Sequence, residues 1–481
     1  MSVVPEKGPN AAAQAGVEAL EGRGIAEGNA DQSLAPRTQR RLGASQGLAG
    51  VREAARRDHT LRFTALLHHV SPQLLTESYQ ALSPAAAAGV DGVTWAQYGV
   101  GLAARIEQLH RAVHQGWYRA QPSRRSYIPK ADGSRRPLGI AALEDKIVQR
   151  ALVSVLSAVY EQDFLGFSYA FRPGRSQHDA LDALSVALMS RKVNWILDAD
   201  IAAFFDCIDH EWMLKILGHR IGDRRVLRLV RKWLTVGVVE DGKRIVSTRG
   251  TPQGAVISPL LANIFLHYVL DLWVHRWRRR EATGAVIVTR YADDVIVGFQ
   301  YQAEAHRFGQ AVQARLAAFG LELHPTKTRL IEFGRYAAER RARRGEGKPS
   351  TFDFLGFTHC CSRTRQGEFT LRRLTVKKRM RAALKVLRAT LHRRRHEPVG
   401  VIGPWLQRTV QGYFNYFAVP GNLERLIAYR REVCRAWYHA LRRRSQRGRV
   451  RWARFVRLIE LFVPRVRQLH PHPLQRFRVI T

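Results

Sequence analysis

The stretch Ala285-Val-Ile-Val-Thr-Arg-Tyr-Ala-Asp-Asp-Val-Ile-Val-Gly-Phe299 decides the fold. Two apolar runs, Ala285 to Thr289 and Val295 to Phe299, bracket Arg290-Tyr-Ala-Asp-Asp294 as two strands bracket a tight turn. Upstream, Asn194 to Ile201 reads as a further strand, and Asp200 follows Trp195-Ile-Leu-Asp-Ala where that strand meets its turn. Carboxylates at strand ends are exposed and can converge. Phosphoryl transfer by two divalent ions requires hard oxygen ligands from separate elements, holding the metals about 3.5 to 4 Å apart so that one activates the attacking hydroxyl and the other the leaving group. Asp200 and Asp293 are the first choices. Adjacent residues on an extended strand point to opposite sides, so Asp294 either supports the site or binds only in some states. Taken alone, an Asp-Asp pair decides little, because such turns are common as plain polar hairpin tips.

The charge balance points to a polyanionic partner. The 481 residues carry 78 Lys or Arg against 40 Asp or Glu, a formal net charge of +38. A free globular enzyme of small molecules has little reason to carry that self-repulsion. From Leu371 to Thr481 there are 28 bases against four acids, Glu397, Glu424, Glu432 and Glu460. Arg outnumbers Lys there, which favours forked phosphate and base-edge contacts and a steep salt dependence of binding. The longest uncharged run, Gly250 to Leu270, is broken by Pro252, Gln253, Pro259, Asn263 and His267 and reads as a buried helix entry, not a membrane span. Cys207, Cys360, Cys361 and Cys434 show no Cys-x-x-Cys spacing, which fits neither a disulfide framework nor a zinc finger. Met1 to Glu6 lacks the start of a secretory signal, so a cytoplasmic protein is expected.

Along the chain, residues 1–50 are rich in Ala, Gly, Gln and Asn and read as a mobile tail. Helical patterning starts near Leu61. Arg119 to Leu138 contains an extended piece, Ser126-Tyr-Ile-Pro-Lys130, and the turn Ala131-Asp-Gly-Ser134, together a basic hairpin. Helices are expected over Glu144 to Val159 and over Ala305 to Gly320, which Gly320 closes. Glu339 to Ser350 reads as a charged surface connection and Thr351 to Phe357 as a strand. Beyond Thr375 helix follows helix, with breaks at Pro398 to Pro404, Pro420 to Asn422 and Ser445 to Gly448.

Three segments, in order, carry a resemblance. Asp200-Ile-Ala-Ala-Phe-Phe-Asp-Cys-Ile208 resembles the first palm motif of bacterial group II intron-encoded reverse transcriptases and maturases. Arg249-Gly-Thr-Pro-Gln-Gly-Ala-Val-Ile-Ser-Pro259 is similar to their template-positioning motif, and Tyr291-Ala-Asp-Asp294 to their metal box. The likeness covers roughly Thr60 to Val479. It implies an α+β chain with the right-hand polymerase fold, fingers and palm carrying antiparallel sheet, followed by a helical thumb and maturase region. The implied divisions are a tail over 1–50, fingers and palm over 51–365, thumb and maturase-specific domain over 366–445, and a basic DNA- and RNA-binding segment over 446–481.

The same resemblance implies two Mg2+ ions held by Asp200, Asp293 and Asp294, with Phe205 against the incoming deoxyribose and Gln253 near the nascent base pair. Tyr127 to Ile140 resembles the fingers hairpin, with Lys130 and Arg136 on the triphosphate, and Leu323-His-Pro-Thr-Lys-Thr328 makes Lys327 a candidate general acid. Phe167 to Ser176 resembles a segment on the template side, and Phe352-Asp-Phe-Leu-Gly-Phe357 the strand that grips the primer, although its aromatics serve equally as core. Arg442, Arg443, Arg444, Arg447, Arg449 and Arg451 form a basic stretch expected to be folded and phosphate-facing, since Trp452, Phe455, Leu458 and Phe462 are embedded in it. The implied partners are intron RNA, an RNA template with a DNA primer, target DNA and deoxynucleoside triphosphates, with no membrane and with nucleoid association when DNA is bound. Ala202 and Ala203 stand where relatives often have Lys and Gly, and only eight residues follow Pro473, too few for the endonuclease module some relatives append, so a self-made nick is not expected. Two other readings remain open: an RNA-binding splicing cofactor without polymerase activity, and a retron- or defence-type reverse transcriptase.

Overall fold

The structure, a computed structural model, describes residues 42–129, 135–246, 248–444 and 450–476. The residues read as a tail up to position 41, the hairpin turn with Lys130, and Arg447 and Arg449 lie outside the described residues. Helix α1, Leu42–Arg57, begins inside the segment read as tail, and its Leu48, Val51 and Ala55 are buried. Its apolar residues are sparse among Gly, Ala and Gln, which is why composition hid it.

Next come α2 (Pro72–Gln80), α3 (Trp95–Gly99), α4 (Leu102–Gln115), β1 (Ser123–Pro129), β2 (Arg135–Ile140), α5 (Leu143–Asp163) and α6 (Gln177–Ser190). β1 and β2 pair antiparallel, Ile128 opposite Arg136, as the basic hairpin reading expects. β3 (Trp195–Asp200) is followed by α7 (Phe204–Cys207), α8 (His210–Gly218), α9 (Arg224–Thr235), β4 (Val238–Glu240) and β5 (Lys243–Ile245). The sheet order β2-β1-β4-β5 contains one parallel pairing, β1 with β4, so this sheet is mixed and not purely antiparallel.

α10 (Ser258–Leu266), a π-helical turn His267–Asp271, and α11 (Leu272–Arg280) lead to β6 (Val286–Tyr291), β7 (Asp294–Phe299), α12 (Gln302–Ala317) and β8 (Arg329–Glu332). The central sheet has the order β6-β7-β3-β8 and is antiparallel throughout. Its two faces have different fates. Leu197, Ala199, Val288, Val295 and Val297 pack into the core built on α5, α10 and α12. Ile196, Ile287 and Ile296, on the other face, pack into a second core shared with α6 and the C-terminal helices.

Glu339 to Ser350 is not all connection, because Ala337–Arg343 forms a short helix, α13, closed by ion pairs of Arg340 and Arg344 to the buried Glu332. Nor is Thr351 to Phe357 one strand. β9 (Phe352–Phe354) turns at Leu355 and Gly356, both at positive φ (47° and 85°), into β10 (Phe357–Arg363), which pairs with β11 (Phe369–Thr375). A division at 365/366 falls in the β10–β11 turn. Then follow α14 (Lys377–Arg393), α15 (Val399–Phe417), α16 (Leu423–Arg442), α17 (Trp452–Phe462) and α18 (Pro473–Arg476). Pro404, read as part of a break, lies inside α15, which runs on through it with one backbone N–H fewer in its ladder. Among the described residues no helix is long and apolar enough to cross a membrane. All four cysteines are free thiols.

Three buried histidines make acid the enemy of this fold. Burial holds His178 and His359 down to about 3 and His267 to about 4, against an ordinary 6.5. The unfolded chain takes up these protons below pH 6.5 and the folded chain does not, so stability is complete above that value and is lost as pH falls toward 4. At most the three together steepen the loss to about 4 kcal/mol per pH unit. Urea midpoints measured from pH 7 to pH 5 should fall, and His359→Phe, which keeps a ring on Phe352, should flatten the fall. An unchanged slope in that variant would contradict the assignment.

Candidate active site

β3 is a period-two strand: Ile196, Asp198 and Asp200 share one face. Register carries the pattern across the sheet, for Asp200 is paired with Asp294, Asp198 with Ile296, and Tyr291 with Asp294. The apolar face that feeds the second core therefore ends in carboxylates. Asp293 occupies the two-residue turn between β6 and β7, after Ala292 at φ 58°. The structure thus brings Asp200, Asp293 and Asp294 together.

Their proton affinities record the crowding. Asp293 is held above the usual carboxylate range, first by desolvation and then by the charge of Asp200. Asp294 keeps an open outer edge, yet it is pushed up to about 7 by desolvation and by Asp293, Asp200 and Asp198. Lys327 Nζ donates to Asp200 Oδ2 at 2.7 Å, so the lysine that the sequence marked is seated on this carboxylate. Arg136 stands close enough that its charge lowers Asp293. Among the described residues no group of three His, Cys, Asp or Glu side chains is already placed to hold a metal ion. The donor set nevertheless fits hard divalent ions: carboxylates from two strands and a turn repel one another, and a cation relieves that repulsion.

The neighbouring turns are tied to this site. Phe205 is half-buried, its ring edge-on to Phe204 at 5.4 Å, and its carbonyl accepts from Thr251 N at 2.7 Å. Gln253 Nε2 donates to both carboxylate oxygens of Asp206 at 3.2 Å, a partner the sequence reading did not single out. Gln253 O accepts from Gly139 N at 2.7 Å, docking the β1–β2 hairpin on this turn. Gly254 makes that approach possible: at φ 107°, a Cβ there would meet Gly139 O at 2.9 Å. Ala203 sits at φ 44°, a conformation suited to glycine, so the alanine that departs from the usual pattern carries backbone strain.

Two side chains that sequence reasoning missed position the carboxylates. Asp198 shares the Asp200 face and pairs with Arg329 at 3.0 Å; the period-two rule applied to Trp195 through Asp200 would have found it. Arg290 is fully buried beneath the turn. It donates to Asp271 at 2.7 and 2.6 Å, Asn263 Oδ1 at 3.1 Å, Ser168 Oγ at 2.6 Å and the Ala292 carbonyl at 3.1 Å. That explains the Phe167 to Ser176 segment as well: Tyr169 N donates to Arg290 O, and Arg290 N to Phe167 O.

At the C-terminal end, Arg442, Arg443 and Arg451 are exposed. Arg444 is turned inward, donating to the Glu397 carbonyl, so it closes the α14–α15 connection and does not stand out from the surface. α16 ends at Arg442, and two residues on, Arg444 lies against that connection.

Residues 128–359 match the family described as reverse transcriptase (RNA-dependent DNA polymerase). This part of the chain is a reverse transcriptase domain, which implies the right-hand polymerase fold. The chain is 32% identical over 332 residues to Protein YkfC of Escherichia coli K12, covering 60% of this chain and 87% of that protein. It is 37% identical over 173 residues to the group II intron-encoded protein LtrA of Lactococcus lactis, 35% of this chain and 28% of LtrA. A shorter match, 30% over 105 residues, 21% of this chain and 14% of the relative, joins it to nuclear intron maturase 2 of Arabidopsis thaliana. The chain belongs to the family of group II intron-encoded reverse transcriptases and maturases, whose enzyme class is RNA-directed DNA polymerase.

Proposed function

We propose that the chain copies RNA into DNA at Asp200, Asp293 and Asp294, and that its C-terminal helices bind intron RNA to assist splicing and mobility. The observation that carries this is the register of Asp200 opposite Asp294 with Asp293 in the adjoining turn. In this reading β1, β2, β4 and β5 belong to the fingers, the β6-β7-β3-β8 sheet to the palm, and α14 to α16 to the thumb and maturase region. The basic segment after it takes DNA and RNA.

Asp200, Asp293 and Asp294 would hold two Mg2+ ions, whose chemistry there is activation of the primer hydroxyl and neutralisation of the leaving group. Lys327 is kept at the site by Asp200 and would pass its Nζ proton to the departing pyrophosphate. Arg136, on the hairpin over Asp293, would clamp the triphosphate as a fork, and Lys130 is the hairpin's candidate point charge. The primer end, RNA template and deoxynucleoside triphosphate are then the substrates, and target DNA a further partner. Nucleoid association would follow from DNA binding.

Phe205 is the candidate sugar gate. Its half-buried ring is held by Phe204 and by the Thr251 bond to its backbone, which gives it a fixed edge to set against a 2′ position. Phe205→Ala should admit ribonucleotides, raising their incorporation relative to deoxyribonucleotides by about tenfold or more, as loss of a 1 to 3 kcal/mol steric discrimination would. Primer extension with paired nucleotides measures the ratio, and unchanged selectivity would refute the gate.

A further inference from the structure

Outside the carboxylate site, a groove of about 830 Å³ runs between α8 and α9. None of Asp200, Asp293 and Asp294 lines it. α9 is strongly two-faced: Val226, Leu229, Val230, Trp233 and Leu234 are buried, while Arg224, Arg228 and Arg231 face outward along the groove. Lys215 joins them from α8, its ammonium 4.7 Å from the Trp212 ring centre. The helix core explains the apolar half. It does not explain the basic half, and arginines at 224 and 225 in the first turn oppose the helix dipole.

The acids present do not neutralise this face. Asp209 is engaged in capping α8, accepting from Trp212 N at 2.9 Å. Glu211 is 81% exposed and reaches Arg231 only at 3.8 Å. Arg224 and Arg228 make no side-chain hydrogen bond or ion pair among the described residues. The lining contains no Asn, Gln, Ser or Thr, and the deep, narrow major groove of base-paired RNA keeps Arg and Lys side chains on the backbone and away from base edges. Trp212, covered by Lys215 and packed on Phe319 at 4.7 Å, offers no stacking platform for an unpaired base. What remains is a row of guanidinium groups. Arg224 to Arg231 covers about 10 Å of helix, enough for roughly three successive phosphates of one strand.

We infer that the outer face of α8 and α9 is a second RNA-binding surface, which grips the phosphate backbone of base-paired RNA without reading its sequence. The choice of RNA rests on the proposal that this chain binds an intron RNA; the phosphate chemistry rests on the groove alone. The test uses the full chain and a short random-sequence RNA duplex, with a DNA duplex of the same sequence beside it. The triple variant Arg224→Gln, Arg228→Gln, Arg231→Gln should weaken RNA duplex binding roughly tenfold or more, and should flatten the slope of log affinity against log salt by about two to three. The matching Arg→Lys triple keeps the charges and should restore the slope, which separates phosphate binding from a folding defect. An unchanged slope in the Gln triple, or a loss confined to the DNA duplex, would overturn the inference. Primer extension by the unaltered chain on an RNA template runs in parallel, because its failure would sink the polymerase reading and leave the slope to decide this surface.

Discussion

Asp293→Ala is expected to lower RNA-templated DNA synthesis by on the order of 10³-fold, about 4 kcal/mol of transition-state stabilisation, while RNA affinity stays within about twofold. Asp293 stands in the turn between two strands whose length and register are set by apolar residues, so its removal would delete a proposed metal ligand without unpicking the sheet. Its charge also raises the proton affinity of Asp294, so the substitution leaves Asp294 easier to ionise. Any defect is therefore one of missing coordination, not of a carboxylate lost to protonation next door. Extension of a DNA primer on an RNA template, beside filter binding of the same RNA, reads both quantities. Synthesis within tenfold of the unaltered chain, or RNA binding lost together with synthesis, would contradict separable functions.

Arg290→Met is expected to destabilise the chain by about 3 to 5 kcal/mol, because it leaves Asp271 as a buried charge without its partner. Arg290 uses all five guanidinium hydrogens: one at Nε and one at Nη2 on Asp271, two at Nη1 on Asn263 and Ala292, and one at Nη2 on Ser168. Both members of the Arg290–Asp271 pair are fully buried. Adding Asp271→Leu to the Met variant should recover a large share of the loss, since removing both charges spares the orphan. Arg290→Lys, with three donors, keeps the charge but cannot also hold the Ala292 carbonyl and both neighbours. DNA synthesis should then fall further than stability does, because the turn carrying Asp293 loses its anchor. Urea midpoints of the three variants make the comparison, and a Met variant within about 1 kcal/mol of the unaltered chain would contradict it.

The parts legible in the sequence were those whose signal is local. The β6–β7 hairpin showed itself by apolar runs around a turn, β3 by its position before Asp200, and α5 by helical spacing. The site followed because carboxylates at strand ends can only converge if the strands pair. What stayed hidden depends on distance. Arg290 reads as a charge in an apolar strand until Asp271, Asn263 and Ser168, 19, 27 and 122 residues away, are brought around it. Arg444 reads as part of a basic run until the Glu397 carbonyl, 47 residues away, claims it. Leu355 and Gly356 continue an apolar alternation, and only the positive φ at both reveals the turn between β9 and β10. α1 was obscured by the tail-like composition before it, and the basic face of α9 by the larger charge excess downstream.

Titration of Mn2+ onto the chain, assembled with an RNA template, a chain-terminated DNA primer and the next deoxynucleoside triphosphate, tests the carboxylate site most directly. Electron paramagnetic resonance counts the bound ions. Two ions per chain are expected in the unaltered protein, with at least one lost in Asp200→Asn and in Asp293→Asn. A count below two in the unaltered protein, or one that neither substitution changes, would contradict a site built from these aspartates.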